Sequence, residues 1–212
     1  MSGRPGRAAP GARRGTAARS LPNEVRIIGG HWKRSKLPVA EAAGLRPTPD
    51  RVRETLFNWL GQTLAGWRCL DAFAGSGALG FEAASRGAAS AVLLEHDGAL
   101  VQSLAATRLR LNAETVRVER ADALQWMARA PSGSFDLVFL DPPFGSPLLA
   151  PAIEAAARLV VVGGFVYVES DAPTDPALLA PLGLAAHRTS RAGAVRFELL
   201  RRIGAEGLDA AS

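Results

Sequence analysis

From Arg68 onward, short apolar runs alternate with longer stretches of helical spacing. The runs Arg68–Phe73, Ala91–Glu95, Thr115–Arg120, Phe135–Leu140 and Gly164–Glu169 predict strands. Gly77–Arg86, Gly98–Asn112, Asp122–Ala130 and Leu148–Val160 predict helices between them. Such alternation builds a mostly parallel sheet with helices on both faces, an α/β fold. After a short helix near Pro176–Leu182 the pattern changes. Leu184–Ser190 and Ala194–Arg202 surround Arg191-Ala192-Gly193 and predict a C-terminal antiparallel hairpin.

Upstream, Val52, Leu56, Leu60 and Leu64 recur every four residues, which predicts an amphipathic helix over Pro49–Leu64. Thr48 suits its N-cap and Pro49 its first position, where no N–H partner is lost. Arg51, Arg53 and Asn58 fall off the apolar stripe. Glu24–Ile28 and His31–Val39 flank Gly29-Gly30, a two-residue signal for a hairpin turn with positive φ. Residues 1–23 are rich in Gly, Pro, Ala and Arg without apolar periodicity and are expected to be disordered. The expected organisation is therefore a tail over 1–23, a small β-hairpin extension over 24–48, the α/β domain over 49–204, and a disordered end over 205–212.

Composition narrows this picture. At 212 residues, with 48% apolar and 21% charged, the chain can build one full core and not two. One cysteine, Cys69, excludes an internal disulfide framework and fits a reducing, cytoplasmic setting. The longest apolar stretch, Leu159–Val168, is broken by two glycines and is too short for a membrane span. The net charge of +5 points to a polyanionic partner. Its distribution is uneven: residues 1–20 hold five arginines and no acid, and 24–53 hold seven bases against three acids. No metal-ligand spacing involves His96 or His187, so no metal is expected. Trp59, Trp67 and Trp126 read as packing residues.

Two motifs carry chemistry. Asp71-Ala-Phe73-Ala-Gly75-Ser76-Gly77-Ala-Leu-Gly80 joins the first predicted strand of the sheet to a helix. Its glycines let backbone approach a ligand closely. It also satisfies G-x-G-x-x-G, with Glu95 twenty residues beyond Gly75, so a dinucleotide site fits by count. Asp71 argues the other way: a carboxylate there suits an ammonium group and would repel a pyrophosphate. Glu95, ending the second strand, suits ribose hydroxyls. Asp122 with Ala123 lies just past the third strand, either reading an adenine edge or capping a helix, whereas Asp97 suits a cap. The second motif, Asp141-Pro142-Pro143-Phe144, follows a buried strand. Two prolines fix the backbone and leave carbonyls free as acceptors. Asp141 and Pro142 suit an amine's hydrogens, and Phe144 a flat ring.

These motifs resemble the class I S-adenosylmethionine-dependent methyltransferases that modify amines. With Arg26-Ile-Ile-Gly-Gly-x-Trp32, Lys36-Leu-Pro38 and Leu45-Arg-Pro-Thr-x-Asp-Arg-Val-Arg-Glu54, the chain from Arg26 to Arg202 resembles the bacterial 16S rRNA (guanine(966)-N(2))-methyltransferase family. The resemblance implies a Rossmann-like methyltransferase sheet and S-adenosylmethionine held by Asp71, Phe73, Gly75, Gly77, Glu95, Asp122 and Ala123. It implies a flipped guanine held by Asp141, Pro142, Pro143 and Phe144. The implied partner is 16S rRNA, within the small subunit or an assembly intermediate, bound to a monomer through Arg26, Lys33, Arg34, Lys36, Arg46, Thr48, Arg51 and Arg53. Competing readings are a DNA adenine or protein glutamine methyltransferase, a nicotinamide-dependent oxidoreductase, and a catalytically silent RNA-binding assembly factor. The first usually carries Asn at the position of Asp141, and the second leaves Asp-Pro-Pro-Phe unexplained. The third is disfavoured because every expected site residue is present.

Overall fold

The structure, a computed structural model, describes residues 24–39, 48–143, 145–193 and 195–204. Seven strands form the main sheet: β3 (Arg68–Asp71), β4 (Ser90–Glu95), β5 (Val116–Arg120), β6 (Phe135–Leu140), β7 (Val160–Ser170), β8 (Leu184–Ala192) and β9 (Val195–Arg202). Their spatial order is β5-β4-β3-β6-β7-β9-β8. β3 to β7 are parallel, and β9 runs antiparallel between β7 and β8. The expected mostly parallel sheet with a C-terminal antiparallel hairpin is therefore what the chain builds.

Alternation along the central strands divides the core. On one face Leu137, Phe139, Tyr167 and Leu199 pack with Phe81, Leu93 and Phe57. On the other, Val138, Leu140, Val166 and Val168 pack with Ile153 and Met127. Helices α2 (Ala78–Ser85) and α4 (Ala123–Arg129) lie on opposite faces, as do α3 (Gly98–Arg110) and α5 (Leu149–Leu159), whose buried side chains join the first and second cluster respectively. Short α6 (Pro176–Leu179) and a 3-10 turn at Ala180–Leu182 lead into β8. Trp59 stacks on Phe197 and Trp67 on Phe165, so both tryptophans serve packing as expected. The crossover direction reverses between β3 and β6, leaving a crevice at the carboxyl ends of these two strands. Ligands of open α/β sheets bind at such a switch point.

The N-terminal part departs from the sequence pattern in three respects. Strands β1 (Glu24–Arg26) and β2 (Lys36–Pro38) pair antiparallel, but Gly29-Gly30 does not form a two-residue turn between them. The connection spans nine residues, and its tight turn lies at Gly30–Ser35, where Arg34 adopts φ 75°. The glycines instead permit close packing. A Cβ on Gly30 would lie 1.9 Å from the Ser85 carbonyl oxygen, and the His31 N–H donates to that oxygen at 2.7 Å. Second, α1 covers only Asp50–Trp59. Gly61 and Gln62 both take positive φ and end it, so Leu64 is buried outside the helix. Third, Thr48 makes no cap; its hydroxyl turns toward β6.

A buried ionic cluster fastens this extension to α2. Glu82, with no exposed side-chain surface, accepts from the Ile28 N–H at 2.8 Å and from Arg86 Nε at 2.8 Å. Its Oε2 also accepts from Arg53 Nη1 at 3.4 Å. Arg53 is itself fully buried and donates to the Arg26 carbonyl and to Asp50. Ser85 donates to the Gly29 carbonyl at 2.7 Å and accepts from the Trp32 N–H. Val25, Ile27 and Leu37 join the core cluster that contains Phe81 and Leu93, so the extension shares its core with the sheet.

Candidate active site

An acid stands at or just beyond the carboxyl end of each parallel strand, and those of β3, β6 and β7 lie around the switch point. Asp71 ends β3 and is 3% exposed. Its Oδ2 accepts from the Gly80 N–H, one turn inside α2, at 2.9 Å. Burial pushes its carboxyl up to about 7, with the charges of Glu95 and Glu169 adding to that push; the N–H groups of Gly80 and Phe73 oppose it. Between Asp71 and α2, Gly77 takes φ 77°, and a Cβ there would collide with Phe81 and Leu104. Glycine is required here by conformation and by space.

Glu95, at the end of β4, is also buried. Its Oε2 accepts from the Gly75 N–H at 3.0 Å, and its Oε1 from the His96 and Asp97 N–H groups at 2.8 and 2.9 Å. Glu95 thus fixes the glycine loop on one side and the entry of α3 on the other. Its Oε2 retains acceptor capacity for a ligand hydroxyl. Asp97 caps α3 through Ala99 and Leu100, as its position suggested. Asp122 caps α4 through Gln125 at 2.8 Å and is exposed, while Ala123 is buried beneath it.

Asp141 follows β6 directly. Its Oδ2 accepts from the Thr48 hydroxyl at 3.3 Å, across 93 residues of chain. Burial raises its carboxyl well above the usual range, and the negative charges of Glu169 and Asp71 raise it further. Glu169, near the end of β7, is 3% exposed and is likewise raised, mainly by burial, although the hydrogen bond from the Tyr167 hydroxyl and the nearby Thr48 oppose the shift. Pro142, Pro143 and Glu169 line a cavity of about 260 Å³ beside this cluster.

The sequence motifs located Asp71, Gly75, Gly77, Glu95 and Asp141 at one crevice, and the fold brings them there. Phe144 and Arg46 lie outside the described residues. Arg53 cannot meet RNA: it is fully buried because Glu82 and the Arg26 carbonyl demand a cation beneath the extension. Thr48 is also buried and serves Asp141 rather than a phosphate. Arg26, Lys33, Arg34, Lys36 and Arg51 are exposed. Lys36 pairs with Glu24 at 2.6 Å, a contact between two largely exposed groups and therefore weak. Glu169 and Tyr167 were not recognised from the sequence. The available signal was the repetition of strand-terminal acids, which continues into β7.

Comparison with known proteins adds a second line of observation. A family model described as conserved hypothetical protein 95 matches residues 25–201. The Escherichia coli protein named ribosomal RNA small subunit methyltransferase D is 43% identical over 189 residues, covering 84% of this chain and 90% of that one. The Haemophilus influenzae protein of the same name is 39% identical over 181 residues, covering 83% and 93%. The chain belongs to this family. A solved structure from Escherichia coli, the candidate methyltransferase yhhF, superimposes with a TM-score of 0.74 at 41% identity, covering 85% of this chain and 98% of its own. Family membership and fold together make the chain a methyltransferase that needs a methyl donor. They remove the oxidoreductase and silent-factor readings. The family match begins within β1, so the extension that carries Thr48 to Asp141 belongs to the family pattern.

Proposed function

We propose that the protein transfers a methyl group from S-adenosylmethionine to the exocyclic N(2) amine of a guanine in 16S rRNA, guanine 966 by resemblance. The observation that carries this reading is the placement of Asp141 and Pro142 at the carboxyl end of β6, next to the end of β3 that carries Asp71 and leads into the glycine loop. The chemistry of the donor set fits S-adenosylmethionine: Asp71 suits its ammonium, Glu95 its ribose hydroxyls, and Asp122 with Ala123 its adenine edge. Bound there, the cofactor supplies a methyl group on a sulfonium, whose sulfur leaves with the bonding electron pair. Asp141 and the Pro142 carbonyl accept the two amine hydrogens and so orient the nitrogen lone pair toward the methyl carbon. As the N–C bond forms the amine becomes acidic, and one of its protons leaves past Asp141 to solvent. No strong base is required. Exposed Arg26, Lys33, Arg34 and Arg51 supply phosphate contacts at the extension.

Mass-spectrometric mapping of 16S rRNA from cells lacking the protein should show one N(2)-methylguanine missing. Its full retention would reject the reading.

Asp71 makes cofactor binding depend on pH. Its folded-state value is raised from 3.8 to about 7, so the stability linked to its neutral form is complete below 3.8 and is lost as pH rises through 7. An ammonium beside it favours the ionised form. Cofactor affinity should therefore fall by up to about tenfold per pH unit below 7, and binding near pH 6.5 should release a proton. Calorimetry in two buffers of different ionisation enthalpy checks this. Equal apparent enthalpies would dissociate Asp71 from the ammonium.

A further inference from the structure

The acid that ends β7 has no part in the chemistry above, yet it stands at the cavity wall. Glu169 is 3% exposed and lines the cavity with Pro142, Pro143, Ser146 and Leu149. The Tyr167 hydroxyl donates to its Oε1 at 2.9 Å and fixes its orientation. Thr48, whose hydroxyl donates to Asp141, also lies close enough to Glu169 to lower its carboxyl, so one residue sits beside both acids. A carboxylate has roughly four acceptor positions, and the Tyr167 hydroxyl occupies only one of them. Asp141 lies directly before the lining residue Pro142, and neither lining proline carries an N–H, so Glu169 and the prolines give this wall acceptors.

Only one base offers a matching edge. Guanine carries N1–H next to the N(2) amine, a run of donors. Adenine and cytosine place a bare ring nitrogen beside their amines, and uracil flanks its N3–H with two carbonyls. A bare ring nitrogen turned toward Glu169 would meet a carboxylate oxygen with no hydrogen between them. We propose that Glu169 determines base specificity by accepting the N1–H of the guanine whose amine Asp141 holds. This inference rests on the methyltransferase reading above and deepens it.

The test is single-turnover methylation of 16S rRNA ligated around a synthetic segment carrying either guanine or 2-aminopurine at the target position. 2-Aminopurine keeps the N(2) amine and has no hydrogen at N1. The wild-type protein should prefer guanine by about tenfold to a hundredfold. In Glu169→Gln the carboxamide can turn its NH2 toward a bare N1. The variant should lose guanine activity by a similar factor and lose or invert the preference, with S-adenosylmethionine affinity unchanged. The bases also differ at position 6, and comparing variant with wild type cancels that difference. If Glu169→Gln does not fold, Glu169→Asp keeps the charge and withdraws it by one methylene; it should lose guanine activity without gaining on 2-aminopurine. An unchanged preference in the folded variant, or lost cofactor affinity, overturns the contact while leaving the methyltransferase reading intact. Failure of the wild type to methylate the guanine substrate overturns that reading and the contact with it.

Discussion

Replacing Asp141 with alanine is expected to slow methyl transfer by about a hundredfold to a thousandfold while leaving cofactor affinity near the wild-type level. The magnitude is that of removing one preorganised polar contact to the reacting group. Cofactor affinity should survive because the ligands proposed for it sit on β3, β4 and α4, whereas Asp141 follows β6. The same side chain carries a second, opposite consequence. Its carboxyl is raised by burial and by the charges of Glu169 and Asp71. A raised carboxyl gives up stability as pH climbs through its folded-state value. At pH 8 the wild type bears that penalty and an Asp141→Asn protein does not. The Asp141→Asn protein should therefore be slower and melt higher, with the melting gain shrinking toward pH 4. Single-turnover kinetics and thermal melts at the two pH values measure both effects. Near-normal turnover removes Asp141 from the reaction; a lower melting temperature at pH 8 means its hydrogen bond from Thr48 outweighs the repulsion.

Replacing Glu82 with alanine should cost about 3–5 kcal/mol of stability, the usual loss when one partner of a buried ion pair is removed. The cost arises from what remains. Arg53 stays fully buried with only the half-exposed Asp50 carboxylate and the Arg26 carbonyl beside it, Arg86 loses its Nε acceptor, and the Ile28 N–H loses the partner that docks the extension. Glu82→Gln, which keeps an oxygen for Ile28 but no charge, should fall between the two. Urea unfolding supplies the free energies, and hydrogen exchange at the Ile28 amide reports whether the extension has lifted. A loss below about 1 kcal/mol would mean that the ionic cluster is incidental to docking.

How far the sequence revealed these features depended on the distance between partners. The central parallel strands were legible because their apolar runs are buried on both faces, whereas edge strand β5 was legible from its Val–Arg alternation. Asp71 and Asp141 were legible because the strands that carry them are. The boundaries shifted where short-range and long-range demands compete, as at Leu64, which keeps the helical spacing but lies beyond a helix ended at Gly61 and Gln62. Arg53 looked like a surface residue by its position off the apolar stripe; besides the nearby Asp50, the partners that bury it, Glu82 and the Arg26 carbonyl, lie 29 and 27 residues away. Gly29-Gly30 matched a hairpin signal, and nothing local announces that Ser85 passes against it. Thr48 satisfied the chemistry of a cap, yet its acceptor is Asp141, far along the chain. Glu169 was visible only as the last of a row of strand-terminal acids.

Helix α2 is buried at all eight of its positions. Its first turn meets the Asp71 carboxylate, and a Cβ on Gly80 would lie 2.5 Å from Leu93. Its last turn holds Glu82 and Ser85 against the extension. Most helices at a protein surface have an outer stripe on which sequence can drift freely; α2 has none. A change that improves one end must be absorbed within a segment whose other end is equally committed. The donor crevice and the extension are thus bound to a common evolutionary fate, because neither can be redesigned without repacking the helix they share.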